Sequence, residues 1–298
     1  MLSTIFRSHE DRIVRFCSLM LLCCGLAILL LMVGFMVRES SLLSDFGISM
    51  ADFLYLQPWA PLATPPTFGM YHAWVSTFVI SGISLLIAVP LGVGIGLFVA
   101  EIAPDPARRI MQPALELLAG IPAVVYGFFG YITLVRGFEN WFEMPTGECL
   151  LVAGLILSIM VLPFIASTAA ETFRGVPLEL KDAALSLGIT HLYLTSRVLL
   201  KKALPGLFAA VALGLARALG ETLAVLMLAG NSVAAPHSLF DRGQPITALI
   251  TTELGETALM SQKYKAIYAS GLFLLAFVIL INLLVWVIKR RSLQNVHG

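Results

Sequence analysis

Arg217 and Glu221 are the two residues whose types and spacing could do chemistry in this sequence. They lie near the centre of an apolar stretch, about 207–230, that is long enough to cross a bilayer as a helix. A lone arginine at that depth costs about 3 kcal/mol on insertion scales. Residues four apart share one face of a helix, so the pair is expected to be able to interact. Small residues beside the pair leave room for another helix or a ligand: Gly214, Ala218 and Gly220.

This pair has two interpretations. It could be a structural ion pair that locks two helices together. It could instead be a polar station on a path across the membrane, with Thr222 beside it. Which of these two interpretations is favoured depends on the helices that position the pair.

The composition predicts a protein that crosses the membrane several times. Of its 298 residues 58% are apolar and only 12% are charged, whereas soluble domains carry about 25% charged residues. The net charge of +1 gives no indication of a nucleic-acid partner. We therefore predict an all-α bundle of six transmembrane helices. The predicted spans are about 16–37, 74–100, 114–135, 149–170, 207–230 and 267–288.

The basic residues predict the orientation of these spans. Thirteen of the 19 Lys and Arg residues fall on one side of the spans, five fall on the other, and Arg217 lies inside. The positive-inside rule then places both termini in the cytoplasm. We expect a cytoplasmic tail at 1–15, a first helix with an outer loop at 16–73, and the main transmembrane domain at 74–290.

Glycine and proline inside two spans predict broken helices. The third span contains Gly120–Gly130, with Pro122 near its start, and Pro163 repeats the feature in the fourth span. Backbone breaks at membrane depth are tolerated where they face protein or a water-lined cavity, and they point to transport sites. Simple kinks that help the helices pack are the alternative.

The inner loop 171–206 predicts a helix–turn–helix elbow. Pro177 can open the first helix and Gly188 can end it in the left-handed conformation. Thr190 can cap a second short helix, which is expected to run to Pro205, where the fifth span begins. The elbow either seats in a partner's groove or packs on its own bundle. In the outer loop 231–266 we expect a part that re-enters the membrane as a cap or gate.

The sequence of the elbow is similar to a loop in a known protein family. Glu179–Gly188, followed by Leu204–Gly206, resembles the EAA loop of ABC importer permeases, with Asp182 in place of the usual glutamate. The resemblance implies that this segment is a coupling helix seated in a groove of a cytoplasmic ATPase. The coupling residues that it implies are Asp182, Ala183, Ala184 and Gly188.

Three further stretches resemble the C-type permease of phosphate ABC importers: Gly120–Gly130, Arg217–Met227, and Ile246–Leu249 with Glu253. The resemblance implies a substrate path formed by Arg217, Glu221 and Thr222. It also implies partners: a second, homologous permease chain, two ATP-binding cassette ATPases, an outer phosphate-binding protein and inorganic phosphate, all at the inner membrane. No nucleic acid is implied as a partner, and no cofactor.

The chain lacks a phosphate-binding loop for ATP, so we expect a transporter subunit rather than an enzyme, with ATP hydrolysed by a separate subunit. In the expected mechanism Arg217 pairs with Glu221 while the path is empty. Phosphate then competes for the guanidinium, Glu221 repels it so that it can leave, and the elbow drives alternating access. The alternatives are a permease for sulfate or molybdate, an intramembrane enzyme, or a membrane scaffold.

Overall fold

The computed structural model of the chain describes residues 2–40 and 49–294. Five helices in this part of the chain are long and apolar enough to cross a membrane, or six if one bent pair counts as a single span. The predicted all-α, multi-pass class is therefore confirmed.

The helices in chain order are α1 (Leu2–Glu39), α2 (Tyr71–Leu97), α3 (Asp105–Gly120), α4 (Ala123–Gly130), α5 (Arg136–Phe142), α6 (Leu150–Arg174), α7 (Leu178–Ser186), α8 (His191–Tyr193), α9 (Leu200–Gly220), α10 (Leu223–Leu228), α11 (Ile246–Leu254) and α12 (Gln262–Gln294). Four π-helical segments join or extend them: Asp52–Leu56, Phe98–Ile102, Tyr131–Val135 and Leu194–Leu199. Two short antiparallel strands, β1 (Trp59–Ala60) and β2 (Thr67–Phe68), form a hairpin between α1 and α2.

Helix α6 is the centre of the bundle. It packs along α2 most extensively and then along α9. Glycines on α9 allow the close approach: a Cβ atom at Gly214 would lie 2.7 Å from Cδ1 of Ile165, and one at Gly206 would lie 2.3 Å from Cγ2 of Thr172. Main-chain carbonyls of the chain beyond α9 accept hydrogen bonds from the first amides of α6, which have no partner within the helix. These bonds run from Cys149 to Leu228, from Leu150 to Asp241 and from Leu151 to Leu239.

The third predicted span is broken, as expected. Helix α3 ends at Gly120 and α4 begins at Ala123, and the two helical segments meet at 89°. Ile121 is extended, with φ −65° and ψ 128°, because a residue before proline is pushed away from the helical region. The boundaries 114–135 are corrected accordingly: the apolar helix that follows the break runs over Ala123–Phe142.

The predictions for the fourth and fifth spans need correction. Helix α6 continues through Pro163 without a break. Helix α9 begins at Leu200 and contains Pro205, so the fifth span does not start at that proline. At its other end α9 stops at Gly220, which divides the predicted helix 207–230 into α9 and α10. Both prolines are buried in the bundle, where packing contacts offset the lost main-chain hydrogen bond and the ring clash that a proline brings to a helix interior.

The segment between α1 and α2 and the segment around α11 contribute to one apolar cluster. Phe53, Trp59 and Phe68 from the first segment are buried against Ile246 and Leu249 of α11. Helix α11 also enters the bundle at its first residue.

The backbone amide of Ile246 donates a 3.0 Å hydrogen bond to Oγ1 of Thr77 on α2. The N-terminal end of α11 therefore lies against α2, and re-entry of this loop into the membrane as a cap or gate stays a prediction.

Candidate functional site

The site lies where the fifth span breaks. Glu221 is extended, with φ −71° and ψ 134°, and Thr222 has φ −120° and ψ −61°. Helix α10 then begins at Leu223. The prediction that Arg217 and Glu221 share one helix face is therefore wrong, because the helix ends between them.

Arg217 occupies the last turn of α9. A cation is favoured there by the partial negative charge at the C-terminal end of a helix. Its guanidinium carbon lies 4.1 Å from the centroid of the Phe164 ring on α6, a cation–π contact worth about 0.5–2 kcal/mol. The Nε atom is buried and has no hydrogen-bond partner. Among the described residues Arg217 forms no ion pair, so the expected resting pair with Glu221 is absent.

Glu221 is held by its backbone rather than by an arginine. Its main-chain carbonyl accepts a 2.8 Å hydrogen bond from Oγ1 of Thr247 on α11. Its Oε1 accepts a 3.2 Å hydrogen bond from the amide of Thr222. The half-buried Glu221 side chain also lines a cavity of about 10 Å³ with Thr77 and Ser81, roughly the space that one water molecule needs.

The break in the third span lies beside the break in the fifth. Helix α4 packs against α10, and a Cβ atom at Gly127 would lie 2.9 Å from Sδ of Met227. The hydroxyl of Tyr126 on α4 donates a 2.9 Å hydrogen bond to the carbonyl of Leu118 in the last turn of α3. Arg217 is close enough to act electrostatically on the same phenol. The guanidinium of Arg217 therefore lies at the end of α9 and within electrostatic range of the helix that follows the break in the third span. Broken helices in two spans are a pointer to a transport site.

The structure thus gathers the three predicted path residues at one break and adds three that sequence reasoning missed. The missed residues are Tyr126, Phe164 and Thr247. Thr247 belongs to a polar run in the outer loop, and Phe164 follows the proline of α6, but neither signal indicates contact with this site.

The first helix, the turn and the cap of the elbow have the predicted local structure, but the predicted second short helix is not separate, because it continues into the fifth span as His191–Gly220. Helix α7 follows Pro177, Gly188 has a φ of +76°, and the Thr190 side chain caps the next helix by accepting a 3.3 Å hydrogen bond from the amide of Tyr193. Asp182 and Ala183 are exposed, together with Gly188. Ala184 is half-buried and packs against the elbow's own apolar cluster.

The outer side of the elbow is apolar and uncovered. Leu178, Leu187 and Leu192 are 70%, 83% and 79% exposed. On the inner side Val176 and Leu194 are buried. The elbow therefore packs on its own chain with one side and offers leucines on the other.

A bundle of long apolar helices, two of them broken beside one charged side chain, defines a multi-pass membrane protein of the transport class. The sequence profile described as "Binding-protein-dependent transport system inner membrane component" matches residues 92–296. The chain belongs to this family, whose members are membrane components of transport systems rather than enzymes.

Curated relatives match over most of the chain. It is 36% identical to the "Probable ABC transporter permease protein YqgH" of Bacillus subtilis, with 94% of this chain and 89% of the relative covered. It is 36% identical to the "Phosphate transport system permease protein PstC" of Mesorhizobium japonicum, with 86% and 81% covered. For the PstC protein of Pasteurella multocida the identity is 35%, with 80% and 78% covered.

Solved structures share the fold. A bacterial ABC transporter that imports the polysaccharide alginate matches with a TM-score of 0.62 and 17% identity, over 91% of this chain and 94% of that one. The MetNI methionine ABC transporter matches with a TM-score of 0.55 and 21% identity, over 75% and 94%. At these identities the likeness concerns the fold alone.

Proposed function

We propose that the chain is the permease subunit of an ATP-driven importer for inorganic phosphate. One observation carries the proposal: Arg217 lies in the last turn before the break in the fifth span, with a buried Nε that has no hydrogen-bond partner. Relatives named as phosphate permeases support the choice of substrate.

The chemistry of Arg217 fits a multivalent oxyanion. A guanidinium presents planar N–H donors that match phosphate oxygens, and charge-assisted bonds of this kind are about twice as strong as neutral ones. No carboxylate among the described residues occupies this donor in an ion pair, so a passing anion displaces no partner. The aromatic ring of Phe164 holds the cation in place without competing for its N–H groups.

Glu221 has a revised role in this mechanism. Because it does not pair with Arg217 in the structure, it is not a lid that phosphate has to displace. The carboxylate of Glu221, which lies in the break between α9 and α10, instead adds negative charge near the path. This charge keeps the binding of an anion weak enough for release. Thr222, whose Oγ1 lies 3.4 Å from the carbonyl of Gly220, supplies a hydroxyl at the same break.

The proposed complex contains a second, homologous permease chain, two ATPases and an outer phosphate-binding protein. A bilayer cannot satisfy the main-chain groups freed at a helix break, and Gly220 and Pro122 at the two breaks are exposed in the single chain. A second permease covers them in this proposal. The exposed leucines of the elbow seat in an ATPase, which places the elbow and both termini in the cytoplasm.

Phosphate uptake by the whole complex in proteoliposomes tests the proposal. We expect uptake of radiolabelled phosphate to resist excess sulfate and molybdate. Arg217→Gln should reduce uptake by about a hundredfold or more, equivalent to about 2.7 kcal/mol, while the complex still assembles. Arg109→Gln, which changes an exposed arginine on α3, is the matched control and should transport normally. Normal uptake by Arg217→Gln would contradict the proposed path, and equal competition by sulfate would indicate another oxyanion.

A further inference from the structure

A short ion pair ties the elbow to the transmembrane bundle. Nζ of Lys181 on α7 lies 2.6 Å from Oε1 of Glu101, and the two residues are 80 positions apart in sequence. The two side chains are only 12% and 13% exposed, which makes this pair the least exposed ion pair among the described residues. An ion pair shielded from water is screened far less than a surface pair.

The rest of α7 is loosely held. None of its residues is fully buried. Leu178 is 70% exposed, and only Ala184 and Leu185 pack against the elbow's own apolar cluster. The Lys181 side chain is therefore the firmest polar connection between α7 and the membrane helices.

The far end of this connection is rigid. Glu101 lies in Phe98–Ile102, the π-helical extension of α2. Arg108 donates hydrogen bonds to the carbonyls of Val99, Ala100 and Ala103, at 3.0, 3.3 and 3.4 Å. These bonds fix the end of α2 as one unit, so a force on Glu101 passes into the helix instead of being absorbed by a loop.

Helix α2 leads from this point to the substrate path. It packs along α6, which carries Phe164 under the guanidinium of Arg217. It also carries Thr77, which binds the N-terminal end of α11.

We infer that Lys181 and Glu101 are a positioning pair that passes displacement of the elbow to α2, and through it to the substrate path. The inference rests on the proposed function, because it assigns the route by which ATP-driven movement reaches that path. It adds two residues to the coupling machinery, one of which, Glu101, lies outside the elbow altogether.

The experiment compares the reconstituted wild-type complex with Glu101→Gln, Lys181→Met and the charge swap Glu101→Lys with Lys181→Glu. The readouts are phosphate transported per ATP hydrolysed, the ATPase rate, and the yield of assembled complex. In the single variants we expect the transport ratio to fall about tenfold, equivalent to about 1.4 kcal/mol. The ATPase rate should stay near the wild-type value, and the swap should recover most of the ratio.

The matched control is Glu148→Gln, which breaks the ion pair with Arg242 near the start of α6. That variant should keep the wild-type transport ratio. A wild-type ratio in both single variants would overturn the inference while leaving the proposed function intact. So would a swap variant that assembles but stays uncoupled. A wild-type complex that moves no phosphate would instead refute the proposed function.

Discussion

The fourth and fifth spans each contain a proline, but only the fifth span breaks, and it breaks away from its proline. Helix α6 contains Pro163 and remains one helix over 25 residues. The fifth span keeps its helix at Pro205 but breaks at Glu221, where there is no proline. The apolar window of α6 is 67% buried, against 39% for His191–Gly220. Both prolines are buried and lie within a continuous helix, whereas the less buried fifth span ends where the side chain of Thr247 binds the carbonyl of Glu221.

The two spans therefore have different roles in the molecule. Helix α6 is the scaffold, and it supplies the ring against which the cation lies. Helices α9 and α10 supply the polar groups, and the break exposes them. Substitutions at the break should therefore change transport, whereas a substitution at the proline of the scaffold should change it little.

Among substitutions of residues that hold the break in place, we expect the largest effect for Thr247→Val. This change removes the hydroxyl that donates to the carbonyl of Glu221 but keeps the side-chain shape. Losing one hydrogen bond to a carbonyl left at the break costs about 1 kcal/mol. We expect phosphate uptake to fall about fivefold, with normal assembly, when initial rates are compared in proteoliposomes.

Thr251→Val is the matched control for that variant. Thr251 donates its hydroxyl to the carbonyl of Thr247 within α11 and is exposed. It should transport at close to the wild-type rate. If the two valine variants behave alike, the contact between α11 and the break has no special role.

The smallest effect is expected for Pro163→Ala in α6. The helix is already continuous at this position, so alanine restores one main-chain donor and leaves the path unchanged. Uptake should stay within about twofold, and the thermal midpoint of the purified complex should stay the same or rise, since proline is the poorest helix former. A severe loss of uptake would show that the fourth span, too, works as a hinge.

Part of the structure could be predicted from the sequence. Apolar length indicates the spans, and Pro177, Gly188 and Thr190 mark the elbow because their backbone preferences act locally. The orientation that the basic residues indicate stays a prediction. The break in the third span follows from Pro122 for the same reason.

The geometry of the site could not be predicted. Gly220 is a local signal for a helix end, but the apolar pattern continues across it into α10, so the pattern alone predicts one helix. The contact that holds the break comes from Thr247, 26 residues away. The partner of Arg217 is a ring on another helix, and the sequence indicates only that a buried guanidinium needs some partner.

The most direct test of the central claim concerns whether Arg217 acts as a cation in an aqueous path. Arg217→Cys is placed in a background in which Cys17, Cys23, Cys24 and Cys149 are replaced by alanine. The cysteine is then treated with a methanethiosulfonate that adds an ammonium group, or with a neutral reagent of similar length. Leu219→Cys, at a position only 2% exposed, is the control for access.

We predict that Arg217→Cys loses phosphate uptake, that the ammonium adduct restores a measurable part of it, and that excess phosphate slows the labelling. The neutral adduct should restore nothing, and Leu219→Cys should not react. A cysteine at position 217 that cannot be labelled from either side, or equal recovery with the neutral reagent, would contradict a transport role for this guanidinium.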